Sequence, residues 1–391
     1  MAKLKSMKRQ RKSIALLIET SNSYARGVLR GIIDYQHQHQ HWSIYLAESE
    51  RGAPPPAWMR RWAGDGMIAR IESDEIASAV KAMNIPVVDV SAARRLIGIP
   101  WVETDDSKIA ELAIEHLLER GFQNFAYCGE SFFNWSNWRR DRFLEAARQF
   151  GKQTFSYDAP NKSARGYSWV REQQRLGKWL QQLPKPVGLL ANYDIQAQRV
   201  LDTCRLHELC VPDEIAVVGV DNDEIICNLA SPTLTSIIPN AHGAGYLAAE
   251  LLDKLMHGNT VAPEPHLLPP LGISLRKSSD VYAVEDPEVA EAAKFIRDHA
   301  CEGINVLDVV KHLEVSRRAL ESRFRRATGK SPHQAIIQQR LARAAQLLRD
   351  TDWGLESIAH QSGFEHAEYM SVAFRREFQI PPSAYRKHHR K

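Results

Sequence analysis

The sequence predicts two folded parts in series, an α/β part over residues 13–275 and an all-α part over residues 287–391. Short apolar runs alternate with helical stretches through the first part, which is typical of a doubly wound sheet. In the second part, a pattern of two short helices joined by a turn occurs twice, about fifty residues apart. A polar stretch without periodicity, residues 276–286, lies between the two parts and is predicted as a linker.

Charge is distributed unevenly along the chain. Residues 1–12, interpreted as a basic tail, hold six basic and no acidic residues. Residues 13–285 hold 27 basic and 33 acidic residues, whereas residues 286–391 hold 18 basic and 14 acidic ones. The basic balance of the last part agrees with contact to nucleic acid.

Cysteine use and the N-terminal hydropathy predict the compartment. The five cysteines form no Cys-x-x-Cys pair, which favours reduced, buried thiols in the cytoplasm. The first apolar run, Ile14–Ile18, is five residues long and stops at Glu19. It is too short for a signal-peptide core or a membrane span, so we expect a cytoplasmic protein without a membrane partner.

The strand candidates of the first part are short apolar runs of the kind that a sheet buried on both faces uses: Ile14–Glu19, Trp42–Ala47, Gly66–Ile71, Val87–Val90, Phe125–Gly129, Gly188–Asn192 and Ile215–Asp221. Helices are predicted between them: Tyr24–His39, Ile76–Met83, Lys108–Arg120, Trp138–Phe150, Trp169–Leu183, Ile195–His207 and Ala244–His257. Ligands of such folds bind outside the carboxyl ends of the strands. Gly27 and Gly31 fall within a predicted helix, where they favour close packing over phosphate binding.

Several motifs of this part resemble the effector domain of LacI/GalR-type regulators, itself similar to periplasmic sugar-binding proteins: Thr104-Asp105-Asp106, Arg139-x-x-Arg142-Phe143, Asn192-Tyr193-Asp194, and Val217–Asn222 followed by Ser231–Ile237. The resemblance covers residues 13–275. It implies a periplasmic-binding-protein-like fold whose two α/β lobes, joined by three crossovers, close on a small molecule. Two features depart from the family: an N-terminal helix-turn-helix is absent, and Arg142 stands where glycine is usual.

A sugar site needs planar hydrogen-bonding groups for the hydroxyls and an aromatic face for the C–H surface. Strand ends and family position select Asp221, Arg139 and Asp194 as effector-binding candidates, followed by Tyr24, Trp135 and Glu19. Arg139 could donate a bidentate pair to vicinal hydroxyls or pair with Asp141 or Asp194. For the aromatic candidates a place in the core is the alternative.

Other chemistry is not indicated. His37, His39 and His41 are spaced by two, which does not place three imidazoles on one helical face, so a solvated helix end is favoured over a metal site. No Ser-His-Asp or Cys-His set is supported by neighbouring motifs, and the carboxylates of Asp105 and Asp106 resemble hinge and cap residues. We therefore expect no metal, no cofactor and no catalytic residues.

The first repeated motif, residues 306–326, predicts a helix-turn-helix. Val306, Val309, Val310 and Leu313 define one face of a short helix, and after a three-residue turn Ser316 can cap a second helix. Leu320 and Phe324 then face inward. The outer face keeps side chains suited to a major groove: Arg317, Arg318, Glu321, Ser322 and Arg325.

The second motif, residues 358–376, repeats this pattern with one additional residue, which an insertion in the turn explains. Ile358 and Ala359 line its first helix, and Gly363 can adopt the left-handed turn conformation. With Met370 and Phe374 inside, the outward residues are His366, Ala367, Glu368, Ser371, Val372 and Arg375. This face is more apolar and acidic, so we expect it to read fewer bases and to clamp the DNA.

A helix starting at Pro332 and ending near Arg349 is predicted between the motifs. About 17 residues at ~1.5 Å each make a ~25 Å spacer, which can place two reading helices in successive major grooves ~34 Å apart. Residues 286–386 resemble the DNA-binding domain of AraC-type regulators, including the closing Pro381–Arg386 and the Phe-Arg-Arg that ends each reading helix. The resemblance implies contact with double-stranded DNA.

Together the two resemblances imply a sugar-responsive transcription regulator. We expect an activator of sugar-utilisation genes, a pentose such as xylose as effector, a homodimer, and contact with RNA polymerase. Two other classes remain open. A sugar-binding transport protein would need an export signal and no reading helices, and an α/β enzyme using the same cleft would show turnover of candidate sugars.

Overall fold

The computed structural model describes residues 11–39, 42–46, 54–161, 165–281 and 286–389. Parts of five predicted segments lie outside the described residues: 1–10 of the tail, His41, Ala47, 282–285 of the linker and 390–391 of the all-α part. The chain divides into two compact units, residues 1–118 with 123–280, and residues 281–391 with 119–122. The first unit is α/β and the second is helical.

Among the described residues, the first unit has twelve strands: Ser13–Leu17 (β1), Ser43–Leu46 (β2), Gly66–Ala69 (β3), Val87–Asp89 (β4), Trp101–Thr104 (β5), Asn124–Gly129 (β6), Gln153–Asp158 (β7), Val187–Ala191 (β8), Ile215–Val220 (β9), Thr235–Ile238 (β10), Pro265–Leu268 (β11) and Gly272–Ser274 (β12). They form two six-stranded sheets. The first, in the order β11-β5-β4-β3-β1-β2, is parallel throughout. The second, in the order β12-β10-β9-β8-β6-β7, is parallel except where β12 joins β10.

Helices cover these sheets: Ser23–Gln38 (α1), Asp74–Met83 (α2), Asp106–Leu118 (α3), Asn134–Gln149 (α4), Trp169–Gln182 (α5), Asp194–Leu206 (α6), Glu224–Leu229 (α7) and Ala241–Met256 (α8). Because helices lie on the faces of each sheet, the central strands β3 and β9 are buried along their whole length. Helices α1 and α8 approach very closely: a Cβ on Gly31 would lie 2.0 Å from the His242 carbonyl oxygen, and one on Gly27 would lie 2.7 Å from the Ala241 Cβ. The packing role predicted for the two glycines is confirmed.

The chain crosses between the two lobes three times, between β5 and α3, between β10 and α8, and between β11 and β12. The crossovers lie side by side, since the Asp105 amide donates to the Leu268 carbonyl at 2.8 Å and the Asn240 amide donates to the Thr104 hydroxyl at 2.9 Å. The two-lobed fold implied by the LacI/GalR resemblance is therefore confirmed.

The predicted strands and helices of this unit are present, with ends shifted by a few residues. Strands β5, β7, β10, β11 and β12 and helix α7 were not predicted. Strand β7 lies at a sheet edge and alternates polar with apolar residues, and the other four strands have only three or four residues. The four short strands are too brief to show a period, and β7 lacks the continuous apolar run by which the other strands were predicted.

The segment predicted as the linker begins against the second sheet. The Ser278 hydroxyl donates to the Val217 carbonyl at 2.6 Å, and the Arg276 amide donates to the Thr235 hydroxyl at 2.8 Å. Ser278 and Ser279 are fully buried. The first residues of this polar segment thus pack on the second lobe.

The second unit has seven helices among the described residues: Pro287–His299 (α9), Val306–Leu313 (α10), Arg317–Thr328 (α11), Pro332–Asp350 (α12), Leu355–Gln361 (α13), Ala367–Phe378 (α14) and Pro382–His389 (α15). They bury two apolar clusters, one around Leu320 and Phe324 and one around Met370 and Phe374. Helix α12 contributes Ile336 to the first cluster and Leu341 to the second. Its 19 residues make a spacer of ~28 Å.

Candidate ligand cavity and nucleic-acid interface

A cavity of about 560 Å³ opens at the carboxyl ends of the strands in the first unit. Both lobes contribute to its wall: Arg70 follows β3 and Glu103 lies in β5, while Glu130 follows β6 and Asp221 follows β9. The position is where parallel α/β sheets bind ligands. The volume falls within the ~300–1,000 Å³ of small-molecule sites.

Four of the six predicted effector residues line this cavity: Tyr24, Trp135, Arg139 and Asp221. The other two, Glu19 and Asp194, are not among its lining residues and are 6% and 1% exposed. The structure thus brings four of the predicted residues together and places two behind them.

Arg139 is held by protein groups on several sides. Its Nε and Nη2 lie 2.9 and 2.7 Å from Asp106 Oδ1, and its Nη1 donates to the Asn192 carbonyl. The guanidinium carbon also lies 5.2 Å from the centre of the Trp135 ring. Arg139 therefore pairs with Asp106 and not with Asp141 or Asp194. Each of its three guanidinium nitrogens already has a protein partner, which leaves the remaining N–H groups for a ligand.

Asp105 and Asp106 have different positions. Asp105 Oδ1 accepts the Ser107 amide at 2.8 Å, so Asp105 caps α3 as expected. Asp106, the first residue of α3 after the crossover from β5, also lines the cavity. Burial raises the pKa of Asp106, while the adjacent Arg139 opposes that rise.

Arg70 is a cavity residue that the sequence did not identify. Its Nη1 lies 2.9 Å from Glu19 Oε1 and its Nη2 lies 2.6 Å from Glu72 Oε1. The guanidinium is 8% exposed and lies 5.4 Å from the Tyr24 ring centre. Glu19 therefore acts on the cavity by holding Arg70.

Glu103 and Glu130 are two further lining carboxylates, and they are 3% and 2% exposed. In each, Oε2 is buried and has no hydrogen-bond partner among the described residues. Burial and then the charge of Asp106 raise the pKa of Glu103 well above its usual range, although Arg94 lies 3.4 Å away. Buried polar atoms are normally satisfied, so these oxygens are available to a polar ligand. Glu130 directly follows a predicted strand and was discoverable on that ground.

Aromatic side chains cover much of the remaining wall: Tyr24, Phe132, Phe133, Trp135 and Tyr193. The Trp135 ring stacks on Phe133 with 5.3 Å between centroids and meets Tyr193 edge-on at 6.1 Å. Burial, followed by the charge of Glu103, raises the pKa of Tyr24 to about 12. Tyr24 is thus a neutral hydroxyl at ordinary pH.

Asp194 supports the turn that carries Asp221. Its Oδ1 accepts the Ser236 hydroxyl at 2.6 Å and its Oδ2 accepts the Asp223 amide at 2.8 Å. Burial and the nearby charge of Asp221 raise the pKa of Asp194 to about 8.

The first helix-turn-helix, α10 and α11, has the predicted orientation. Three residues separate the helices, and Ser316 caps α11 by accepting the Ala319 amide at 3.2 Å. Leu320 and Phe324 are buried. Of the predicted outward set, Glu321 is half-buried and pairs with Arg317 at 2.9 Å. The exposed members are Arg317, Arg318, Ser322 and Arg325.

The second helix-turn-helix, α13 and α14, has a five-residue connection that contains the extra residue. Gly363 takes the predicted left-handed conformation with φ of +79°, and Ile358, Ala359, Met370 and Phe374 are buried. Among the predicted outward residues, Ala367 and Ser371 are half-buried, and the exposed ones are His366, Glu368, Val372 and Arg375. Tyr369, which the sequence did not single out, is also 52% exposed.

The second helix-turn-helix and α12 contact the segment between α9 and α10, which directly precedes the first helix-turn-helix. Arg340 of α12 donates to the carbonyls of Ala300 and Ile304 at 2.8 and 2.6 Å, and its guanidinium lies 5.7 Å from the Phe364 ring centre. A Cβ on Gly363 would lie 2.6 Å from the Ala300 oxygen. These contacts connect the turn of the second motif to the segment that leads into the first.

Other sites were sought in the described part of the chain. It contains no group of three or more His, Cys, Asp or Glu side chains that could hold a metal ion. His39, from the predicted solvated helix end, stacks on Tyr35 with 4.4 Å between the rings. None of the described helices combines the length and the apolar character that crossing a membrane requires.

Comparison with known proteins matches both units to family models. Residues 13–106 match the XylR N-terminal domain, residues 114–279 match the periplasmic binding protein-like domain, and residues 309–388 match a helix-turn-helix domain. A solved structure described as the xylose-binding transcription activator xylR is 29% identical with a TM-score of 0.74, covering 98% of this chain and all of that one. The cellobiose complex of the transcriptional regulator CelR, at 20% identity and a TM-score of 0.56, matches 69% of this chain and shows the fold of the first unit.

Curated relatives extend over nearly the whole chain. The xylose operon regulatory protein of Haemophilus influenzae is 32% identical over 97% of this chain and 99% of its own length. That of Escherichia coli K12 is 30% identical over 96% and 97%. These relatives are transcription regulators, neither transport proteins nor enzymes. The chain therefore belongs to the family of xylose operon regulatory proteins, sugar-responsive transcription regulators with an AraC-type DNA-binding domain.

Proposed function

We propose that this protein is a xylose-responsive transcription activator. The observation that carries the proposal is the presence, in one chain, of a polar and aromatic cavity and of two outward-facing reading helices. The relatives named for the xylose operon match both parts in the same order. Sugar binding in the cavity changes how the second unit engages its promoter, because the sugar has a higher affinity for one arrangement of the lobes.

The charge of the cavity favours a neutral sugar. Four carboxylates and two guanidinium groups line it: Glu103, Asp106, Glu130, Asp221, Arg70 and Arg139. Carboxylates accept hydrogen bonds from sugar hydroxyls, and the aromatic wall suits the C–H face of a pyranose. The two lining guanidinium groups are already paired, Arg70 with Glu19 and Glu72 and Arg139 with Asp106, so neither is set aside for a phosphate.

We assign direct sugar contacts to Asp221, Arg139, Tyr24 and Trp135. Glu19 and Asp194 act behind them, the first by orienting Arg70 and the second by holding the Asp221 turn. The proposed domain bounds follow: a tail at 1–12, an effector domain over 13–275, a linker over 276–286 whose first residues pack on that domain, and a DNA-binding domain over 287–391.

Thermal denaturation of the full chain across a panel of sugars tests the ligand class. D-xylose is expected to raise the melting temperature, because a ligand that binds the folded state stabilises it by mass action. At a D-xylose concentration of one hundred times Kd, the free energy of unfolding should increase by ~2.7 kcal/mol. D-xylose 1-phosphate, which keeps the pyranose ring and adds the charged group, should leave the melting temperature unchanged at the same concentration. Equal stabilisation by the phosphate would contradict the charge argument, and no stabilisation by any pentose would remove the sugar assignment.

On the DNA side, Arg317, Arg318, Glu321, Ser322 and Arg325 are proposed to contact one major groove. In the next groove the contacts come from His366, Ala367, Glu368, Ser371 and Arg375. We further propose a cytoplasmic homodimer that contacts RNA polymerase at the promoter. Sedimentation of the full chain with and without operator DNA tests the dimer.

A further inference from the structure

The turn that follows β9 holds two consecutive non-glycine residues at positive φ. Asp221, which lines the cavity, has φ of +110°, and Asn222 has φ of +46°. L-residues with side chains rarely adopt such conformations, which cost ~1–3 kcal/mol each and persist only when surrounding contacts impose them. Strain of this kind is concentrated at ligand sites and switches.

Neighbouring groups hold the turn at every backbone amide. The Asp221 amide donates to the Ile237 carbonyl at 3.1 Å, and the Asn222 amide donates to the Ser236 hydroxyl at 3.0 Å. The Asp223 amide donates to Asp194 at 2.8 Å. A ligand that contacts Asp221 therefore acts on a strained turn, and the conformation of that turn depends on these three hydrogen bonds.

Arg276 connects this turn to the segment that leaves the first unit. Its Nη2 donates to Asn222 Oδ1 at 3.0 Å, its Nη1 to the Leu234 carbonyl at 2.9 Å, and its Nε to Asn228 Oδ1 at 3.3 Å. The backbone of Arg276 is itself bonded on both sides to the Thr235 hydroxyl, at 2.8 Å each. Five residues later the chain passes into the second unit.

We propose that Arg276 is a coupling residue, which transmits occupancy of the cavity from the Asp221–Asn222 turn to the segment that leads to the DNA-binding unit. The proposal rests on the proposed function for the identity of the sugar. When the sugar engages Asp221, the adjoining peptide rotates and Asn222 Oδ1 moves with it. The Arg276 guanidinium moves with Asn222 Oδ1, to which it donates. The backbone of residues 276–280 then changes direction, because Arg276 is part of it.

Measuring the affinities for D-xylose and for operator DNA distinguishes a coupling role of Arg276 from a purely structural one. In the full chain, the Kd for D-xylose is measured by calorimetry, and the Kd for operator DNA is measured with and without saturating D-xylose. The parent is expected to show a ratio of the two DNA affinities of ~5–150, the usual range of allosteric coupling. Arg276→Ala should bring this ratio close to one while D-xylose Kd changes by no more than ~3-fold.

Two further variants test the contact itself. Asn222→Gly removes the Oδ1 acceptor but accepts positive φ without strain, so the fold is retained and the same loss of coupling is expected. Arg205→Ala is the matched control: it removes an arginine of this unit whose side chain pairs with Asp202 at 2.9 Å on the surface, and it should keep the parental ratio.

The outcomes that overturn the proposal are distinct. A parent that responds to D-xylose together with Arg276→Ala and Asn222→Gly variants that respond equally would overturn the coupling role alone. Loss of D-xylose binding in Arg276→Ala, with an unchanged ratio in Asn222→Gly, would make Arg276 a structural anchor and would equally overturn it. A parent whose DNA affinity is unaffected by D-xylose would overturn the proposed function and the coupling role with it.

Discussion

At the scale of single residues, the exposed arginines of α11 contribute little to folding and are available to DNA. The ion pair between Arg317 and Glu321 joins side chains that are 60% and 45% exposed, and such pairs add little stability. Arg318 is exposed beside it. The guanidinium groups of Arg317 and Arg318 are therefore accessible to the phosphates and bases of DNA.

Replacing Arg318 with alanine should therefore affect binding more than stability. If Arg318 contacts a base, Arg318→Ala weakens the binding free energy for operator DNA by ~1–3 kcal/mol. The variant should also discriminate less between bases at the one position that Arg318 contacts. Competition binding across single-base variants of the operator measures this. Arg142→Ala, which removes an exposed arginine of α4 paired with Glu145 at 3.3 Å, is the control and should change nothing. A loss equal for all sequences would assign Arg318 to phosphate contacts.

Buried Asp89 makes stability depend on pH. Burial raises the pKa of Asp89 to about 7, against ~3.9 in an unfolded chain. Between these values the folded state keeps a proton that the unfolded state has lost, so the free energy of unfolding falls as pH rises. Relative to Asp89→Asn, the parent should lose at most ~1.4 kcal/mol per pH unit from pH 4 to 7.

Urea denaturation of both proteins at several pH values checks this difference. The comparison isolates Asp89, because the other buried carboxylates are common to both proteins. Asp202→Asn, which alters an exposed carboxylate paired with Arg205, should follow the parent. Identical pH profiles for the parent and Asp89→Asn would show that Asp89 is ionised in the folded state.

Single residues were predictable from sequence where a local rule applied. Asp221 directly follows an apolar strand, and the same rule would have found Glu130. The pairing of Arg139 with Asp106 joins residues 33 positions apart and depends on how α3 and α4 pack, so no local pattern predicts it. Arg70 was missed because it lay within a predicted strand and its carboxylate partners come from separate loops.

At the scale of elements, α12 does more than separate the two reading helices. Arg340 bonds two carbonyls in the segment between α9 and α10 and contacts Phe364 from the second motif. Burial lowers the pKa of Arg340, which indicates how far its guanidinium is removed from water. Besides separating the two motifs by its length, α12 thus connects the turn of the second motif to the segment that leads into the first.

Arg340→Ala should uncouple the two motifs. Loss of its charge-assisted bonds leaves two carbonyls unsatisfied, at ~1–3 kcal/mol each, and allows α11 and α14 to change their relative angle. Affinity for an operator spanning two grooves should fall at least ~10-fold, and affinity for a site that engages only α11 should fall much less. Arg343→Ala is a control on the same helix, since Arg343 bonds Gln346 one turn away at 2.9 Å. An equal fall at both DNA sites would contradict this role.

Elements were predictable where the sequence had either a continuous apolar run or an amphipathic helical pattern. The buried runs of β3, β6, β8 and β9 stood out, and so did the amphipathic helices. The edge strand β7 has only one buried residue of six, and its pairing is supplied by β6 and not by its own composition. Tertiary contact, not local sequence, forms such strands.

At the scale of the whole molecule, each unit has its own core and its own chemistry. The first unit supplies an acidic, aromatic cavity, and the second supplies exposed arginines on a duplicated motif. The duplicated pattern and the spacer helix allowed the DNA-binding fold to be predicted in detail. The sugar cavity was only partly predictable, because its walls assemble from strand ends of two separate sheets.

The most direct test of the account is a footprinting titration of the full chain on promoter DNA, with and without saturating D-xylose at fixed salt. We predict protection of successive major grooves on one face of the duplex, competed poorly by unrelated DNA, and an affinity that changes at least ~5-fold with the sugar. Protection that unrelated DNA competes away equally, or an affinity that D-xylose leaves unchanged, would contradict a xylose-responsive, sequence-specific regulator.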